Sequence, residues 1–132
     1  RNAATLRAVL EESPLIDLRW PSPREGHVFY RVAAQVRPEA LAPGWSRDRI
    51  MTEISALGVP CFVGVCPEIQ LECAFQPSGG GPNTSLPTAA EVGARSLAFL
   101  VHPTIDAHAM DACAAVVAQV LARAAKRAPA RC

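Results

Sequence analysis

Three cysteines close together are the first residues whose type and spacing could do chemistry. Cys61, Cys66 and Cys73 form a C-x4-C-x6-C pattern. Thiolates bind zinc, but structural zinc sites prefer tighter C-x2-C pairs. Cys61 falls in a stretch that reads as a strand, and Cys73 flanks a helix-like stretch. The pattern reads as buried or incidental thiols, and no metal is expected. Cys66 lies in a loop with Glu68 beside it. It becomes a nucleophile only if the fold brings His27 or His102 near. The carboxylate pairs Glu11/Glu12 and Asp106/Asp111 sit at helix ends and on helix faces. There they read as caps and solvated surface.

Lys126 is the only lysine, near the end of the chain and among Arg123, Arg127 and Arg131. A Schiff-base lysine needs a desolvated or otherwise tuned pocket, which this setting does not offer. The glycines of Ser78-Gly79-Gly80-Gly81-Pro82-Asn83 are not followed by a Lys-Ser/Thr pair. They also open no helix after a strand, so they make no phosphate cradle. His102-Pro103 reads as a turn histidine bonded to backbone. Trp45, after a Pro-Gly turn, reads as an anchor of its loop on the core.

The elements that must position these residues come from a chain of 132 residues, enough for one domain. Half the residues are apolar, so a core can form. Thirteen basic and 12 acidic side chains leave a net charge of +1. That balance gives no reason to expect nucleic acid as a partner. No apolar run approaches the roughly 18 residues that span a bilayer, so no membrane is expected. The odd count of five cysteines comes with no secretory signal, and a cytoplasmic chain with reduced thiols is the expectation.

A helix is predicted from Arg1 to Glu12, with Ala3, Leu6, Val9 and Leu10 on one face. Ser13-Pro14 stops it. Ile16 to Arg19 reads as a short strand. From His27 to Arg37 the chain alternates, with Val28, Tyr30, Val32, Ala34 and Val36 on one face. Ser46 caps a helix to about Leu57 whose buried stripe is Ile50, Met51, Ile54 and Leu57, and Gly58 stops it. Val59 to Val65 reads as a strand, and 67–75 could hold a short helix. The loop 76–86 is expected to be flexible. Pro87 opens a helix to about Ser96, and Leu97 to Val101 is a further strand. Asp106 caps a last helix to about Ala125, with Ala109, Met110, Cys113, Val117, Val120, Leu121 and Ala124 inward. A tail, 126–132, follows. The fold class is α+β: a small, mostly antiparallel sheet of about three to four strands with helices packed on it. Lack of an initial Met and an uncapped first helix lead us to expect a carboxy-terminal piece of a longer protein.

Three stretches say more. They are Gly44-Trp45-Ser46-Arg47-Asp48-Arg49-Ile50 with Ala56-Leu57-Gly58-Val59-Pro60-Cys61, then Pro67 to Phe75, then Leu86-Pro87-Thr88-Ala89-Ala90-Glu91 with Ser96 to Thr104. In order and spacing they resemble the C-terminal domain of the DegT/DnrJ/EryC1/StrS aminotransferases. His27-Val28-Phe29-Tyr30-Arg31 is also similar to that family. These are pyridoxal-phosphate enzymes of fold type I, often acting on keto sugars bound to nucleotides. The resemblance covers roughly Ile16 to Ala124.

It implies that residues 1–132 are a single small domain. The cofactor-binding large domain, with its Schiff-base lysine, would lie upstream in a parent that is a homodimer. The parent would pass an amino group from an amino acid to a keto sugar or related keto substrate. The piece alone would bind no pyridoxal phosphate, carry no catalytic residue and be inactive. The segment after Gly58-Val59-Pro60 approaches the substrate in this family, often through a His-Tyr pair. Here Phe62-Val63-Gly64-Val65-Cys66-Pro67 stands instead. The substrate-facing residues implied are therefore Gly64, Cys66 and Glu68, with ordinary loop packing as the bland alternative. The competing functions are a free-standing binding or regulatory module without catalysis and a small thiol or zinc enzyme.

Overall fold

The computed structural model describes residues 1–69, 72 and 85–126. The loop expected at 76–86 lies outside the described residues except for Ser85 and Leu86. So does the tail after Lys126, and most of the helix expected within 67–75. Among the described residues the order is α1 (Asn2–Glu12), β1 (Ile16–Asp17), β2 (Arg31–Val36), a 3-10 turn (Pro38–Ala40), α2 (Arg47–Ala56), β3 (Cys61–Val63), α3 (Pro87–Arg95), β4 (Ser96–Leu100) and α4 (Ala107–Ala124). The four strands form one antiparallel sheet in the order β1-β2-β4-β3. The α+β class read from the sequence holds.

Register decides what each face carries, because directly opposed residues point the same way. Val32 faces Phe99, Ala34 faces Leu97, and Cys61 faces Phe99. These residues join Leu6 and Leu10 of α1, Ile50 and Ile54 of α2, and Met110, Val117, Val120 and Leu121 of α4 in one core. The other face carries Arg31, Ala33, Phe62, Ala98 and Leu100 in register. Ala33 and Phe62 are exposed there.

Local signals start the helices where the sequence puts them. Ser46 Oγ accepts from Arg49 N at 3.1 Å, and Asp106 Oδ1 accepts from Ala109 N at 2.8 Å. Each side chain satisfies a first-turn N–H that the helix leaves unpaired. Gly58 ends α2 with φ of +84°, a conformation that favours glycine. The connection after β2 is pinned to the end of α4, where Ala42 N donates to Ala124 O at 2.8 Å.

The structure corrects the alternation at His27–Arg37. Only Arg31–Val36 is strand, while Val28 is 91% exposed and Tyr30 58%. Alternation alone makes no strand; a neighbour must supply hydrogen bonds. β4 ends at Leu100 opposite Arg31. Beyond it, among the described residues, the one backbone tie to this stretch is Val101 N to Tyr30 O at 3.0 Å. Strands β1 and β3 are likewise shorter than read, because their pairings stop at Asp17 and Val63. Leu57, at the end of α2, is 49% exposed rather than buried. In α4 the inward set holds Ala114 where the sequence reading had Ala109, which is exposed.

Candidate functional site

The uncovered sheet face holds a groove of about 330 Å³. One wall is Gly64 and Val65; the other includes Trp20, His27, Phe29, Tyr30 and Arg31, with Arg19 at the rim. The segment between Pro21 and Tyr30 is shaped by aromatic stacking in place of strand pairing. Trp20 and Phe29 stack at 4.5 Å between centroids, and His27 lies 4.1 Å from Phe29. The Arg7 guanidinium closes the column, 4.8 Å above Trp20. Arg31 lies over Tyr30 at 5.0 Å. Among the described residues its charged lining is Arg19 and Arg31; Asp17 Oδ2 lies 3.7 Å from Arg19, so the groove is positive chiefly through Arg31.

A second groove of about 500 Å³ opens on the far side of Val65. Val65, Cys66, Leu86, Pro87 and Val92 line it. The 64–67 segment is the ridge between the two. It lies on the junction of α3 and β4: Gly64 N donates to Ser96 O at 3.4 Å, and Val65 N donates to Ser96 Oγ at 3.1 Å.

The three residues singled out in the sequence therefore separate. Gly64 lines the positive groove, and Cys66 lines the apolar one. Glu68 lines neither; its Oε1 accepts from Leu86 N at 2.7 Å and ties the segment to the start of α3. Cys66 Sγ donates to Glu72 Oε1 at 3.3 Å. This bond raises the thiol pKa above its ordinary value, with smaller contributions from desolvation and the Glu72 charge, against a smaller downward pull from the Glu68 backbone N–H. The groove that holds Cys66 has no histidine in its lining. His27 stacks on Phe29, and His102 Nδ1 shares a hydrogen bond with Thr104 Oγ1 at 2.6 Å. His102 is thus a turn histidine, but its ring bonds a hydroxyl and not backbone. Nothing here makes Cys66 a ready thiolate.

Cys61 is buried, and burial pushes its thiol up to about 12 against a smaller downward pull from Arg47. Cys73 lies outside the described residues. Among the described residues no three His, Cys, Asp or Glu side chains come together to hold a metal. No helix among them is long and apolar enough to cross a membrane. Lys126 is exposed, and its Nζ donates to the carbonyl of Glu39. Trp45 packs against the core as expected, under the guanidinium groups of Arg49 and Arg123.

Sequence reading missed Trp20, His27 and Arg31 as one wall of the groove, and Ser96 as the support of the other. A signal existed for the first: His27-Val28-Phe29-Tyr30-Arg31 carries part of the family resemblance. Ser96 had none, since its bonds to Gly64 and Val65 join residues far apart in the chain.

A four-stranded antiparallel sheet with its core on one face is also found as part of several larger aminotransferases. The structure of an aminotransferase from Psychrobacter cryohalolentis matches 93% of the chain at 34% identity with a TM-score of 0.75, over 34% of its own length. A DegT/DnrJ/EryC1/StrS aminotransferase from Brucella abortus matches 88% at 15% identity and a TM-score of 0.62, over 29% of its length. DesI, solved in the presence of its TDP-sugar product, matches 93% at 22% identity and a TM-score of 0.72, over 30% of its length. The chain spans about a third of these enzymes. No protein-family model matches it, and neither does any curated protein. The resemblance to the DegT/DnrJ/EryC1/StrS aminotransferases read from the sequence holds in fold, and the Psychrobacter aminotransferase is similar to this chain in sequence as well.

Proposed function

We propose that this chain is the small carboxy-terminal domain of a pyridoxal-phosphate aminotransferase. The parent enzyme would move an amino group from an amino acid to a keto sugar or a related keto substrate in the cytoplasm, as a homodimer. One observation carries the reading: 34% identity over 93% of the chain to a solved aminotransferase almost three times as long. The TDP-sugar product in the DesI structure supports a keto-sugar substrate.

The residues present do not fit an anchored cofactor. The one lysine is exposed and bonded to the Glu39 carbonyl, away from both grooves. Pyridoxal phosphate supplies an electron sink where it is bound; its anchor would be in the upstream domain. This chain's part would be shape and charge. The positive groove would face the substrate through Gly64, with Cys66 and Glu68 holding the loop beside it. Phe62, Val65 and Leu86, exposed at 49%, 41% and 45%, would be covered by the upstream domain.

The experiment compares the chain alone with the chain joined to its upstream coding region. The joined protein should show cofactor absorbance and amino transfer to a keto sugar, and the chain alone neither. Cofactor absorbance in the isolated chain that Lys126→Arg abolished would overturn the reading. So would an upstream region without a lysine-bearing cofactor domain, which would favour a free-standing binding module.

A further inference from the structure

We propose that Ser96 and Gly93 are positioning residues: they seat the 64–67 segment and so set the width of the groove between Val65 and His27. The proposal deepens the functional reading above and rests on it only for what the groove binds.

Ser96 is 2% exposed, and its hydroxyl is used in both directions. It donates to Gly93 O at 3.2 Å and accepts from Val65 N at 3.1 Å. The carbonyl of the same residue accepts from Gly64 N. One buried residue thus links the end of α3, the start of β4 and the ridge between the grooves. Buried hydroxyls that lose such partners are destabilised, so the bonds select one position for the ridge.

Gly93 completes the seat by what it lacks. Glycine inside a helix is weaker than alanine, so a structural reason is required for it in α3. A Cβ at this position would fall 2.3 Å from Pro67 Cβ and 2.6 Å from Pro67 Cα. The proline ring is stiff and cannot turn aside as a long side chain would. Gly64 repeats the device from the other side: a Cβ there would meet Leu97 O and Ser96 Cβ, each at 2.9 Å. Two close approaches and two hydrogen bonds therefore hold a segment whose strand pairing has already ended at Val63, with the Ser96–Gly93 bond fixing the hydroxyl that receives one of them.

Amide hydrogen exchange and proton spectra of the 132-residue chain test this. Ser96→Ala should speed exchange at the Val65 amide by about fivefold or more, leaving Val32 and Phe99 unchanged. Ser96→Thr keeps the hydroxyl and should restore most of the protection. Gly93→Ala should move the Gly64 and Val65 amide signals and the His27 ring protons, but not those of His108, and lower the melting temperature. If glycine were only tolerated at 93, the better helix former would raise that temperature and leave the His27 signals in place. That result, or an unchanged Val65 exchange rate in Ser96→Ala, overturns the seat. If Ser96→Ala does not fold, Ser96→Thr and Gly93→Ala decide it. These readouts need no substrate. A failed amino-transfer assay would sink the functional reading and leave the seat untouched.

Discussion

Asn2 donates its side-chain amide to the carbonyl of Ile105 at 2.8 Å, and to that of His102 at 3.1 Å. Asn2 is 6% exposed, a rare buried polar residue in this core. It ties the first turn of α1 to the connection between β4 and α4. Asn2→Ala takes one donor from each carbonyl, leaving His102 O with the Ile105 N–H, and should cost about 1–2 kcal/mol. Chemical denaturation should show a lower midpoint at an unchanged slope.

Asp106 caps the longest helix of the described chain. Asp106→Ala removes the acceptor for Ala109 N and should cost about 1 kcal/mol, whereas Asp106→Asn should cost less. Thermal unfolding of the three proteins checks the order. Equal melting temperatures for Asp106→Ala and the parent would remove the cap from the account.

Cys61 sets a pH dependence. Its folded pKa is pushed up to about 12 from an ordinary 9.0, chiefly by burial. Below pH 9 both folded and unfolded chains keep the proton, and its contribution is intact. Between 9 and 12 the unfolded chain loses the proton first, so stability falls as pH rises. Above 12 the effect levels off. The melting temperature of Cys61→Ala should therefore fall less steeply from pH 8 to 11 than that of the parent. The comparison is of slopes, because the smaller side chain also leaves a void. At pH 8 a thiol reagent should modify exposed Cys66 well before Cys61.

Glu53 bridges two arginines, Arg49 at 2.9 Å and Arg123 at 2.7 Å. Both guanidinium groups also lie over Trp45, at 4.3 and 5.6 Å from its centre. The arginines are about half exposed, so a Glu53→Ala/Arg123→Ala double-mutant cycle should give a coupling under about 1 kcal/mol that shrinks in salt. Trp45→Ala should cost more, about 2 kcal/mol, because packing is lost with the cation contacts. A larger cost for Arg123→Ala than for Trp45→Ala would reverse that order.

Much of this fold follows from local chemistry. The Ser46 and Asp106 caps, the stop at Gly58 and the Leu6/Leu10 stripe depend on neighbours within a turn or two, and such signals survive in a single sequence. The family resemblance was legible for the same reason, being carried by short segments in a fixed order. The strand reading at His27–Tyr30 failed because alternation reports a face and cannot report a partner. Val28 alternates as Val32 does, yet β4 ends before reaching it. The site was divided in the same way. Gly64 stands beside a stop signal that sequence can read, but its groove exists only because stacking of Trp20, Phe29 and His27 builds the opposite wall. Ser96 reads as an ordinary residue at a helix end. Only the tertiary structure brings Val65, 31 positions away, to its hydroxyl. Contacts between distant segments are decided when the sheet closes, and no local pattern records them.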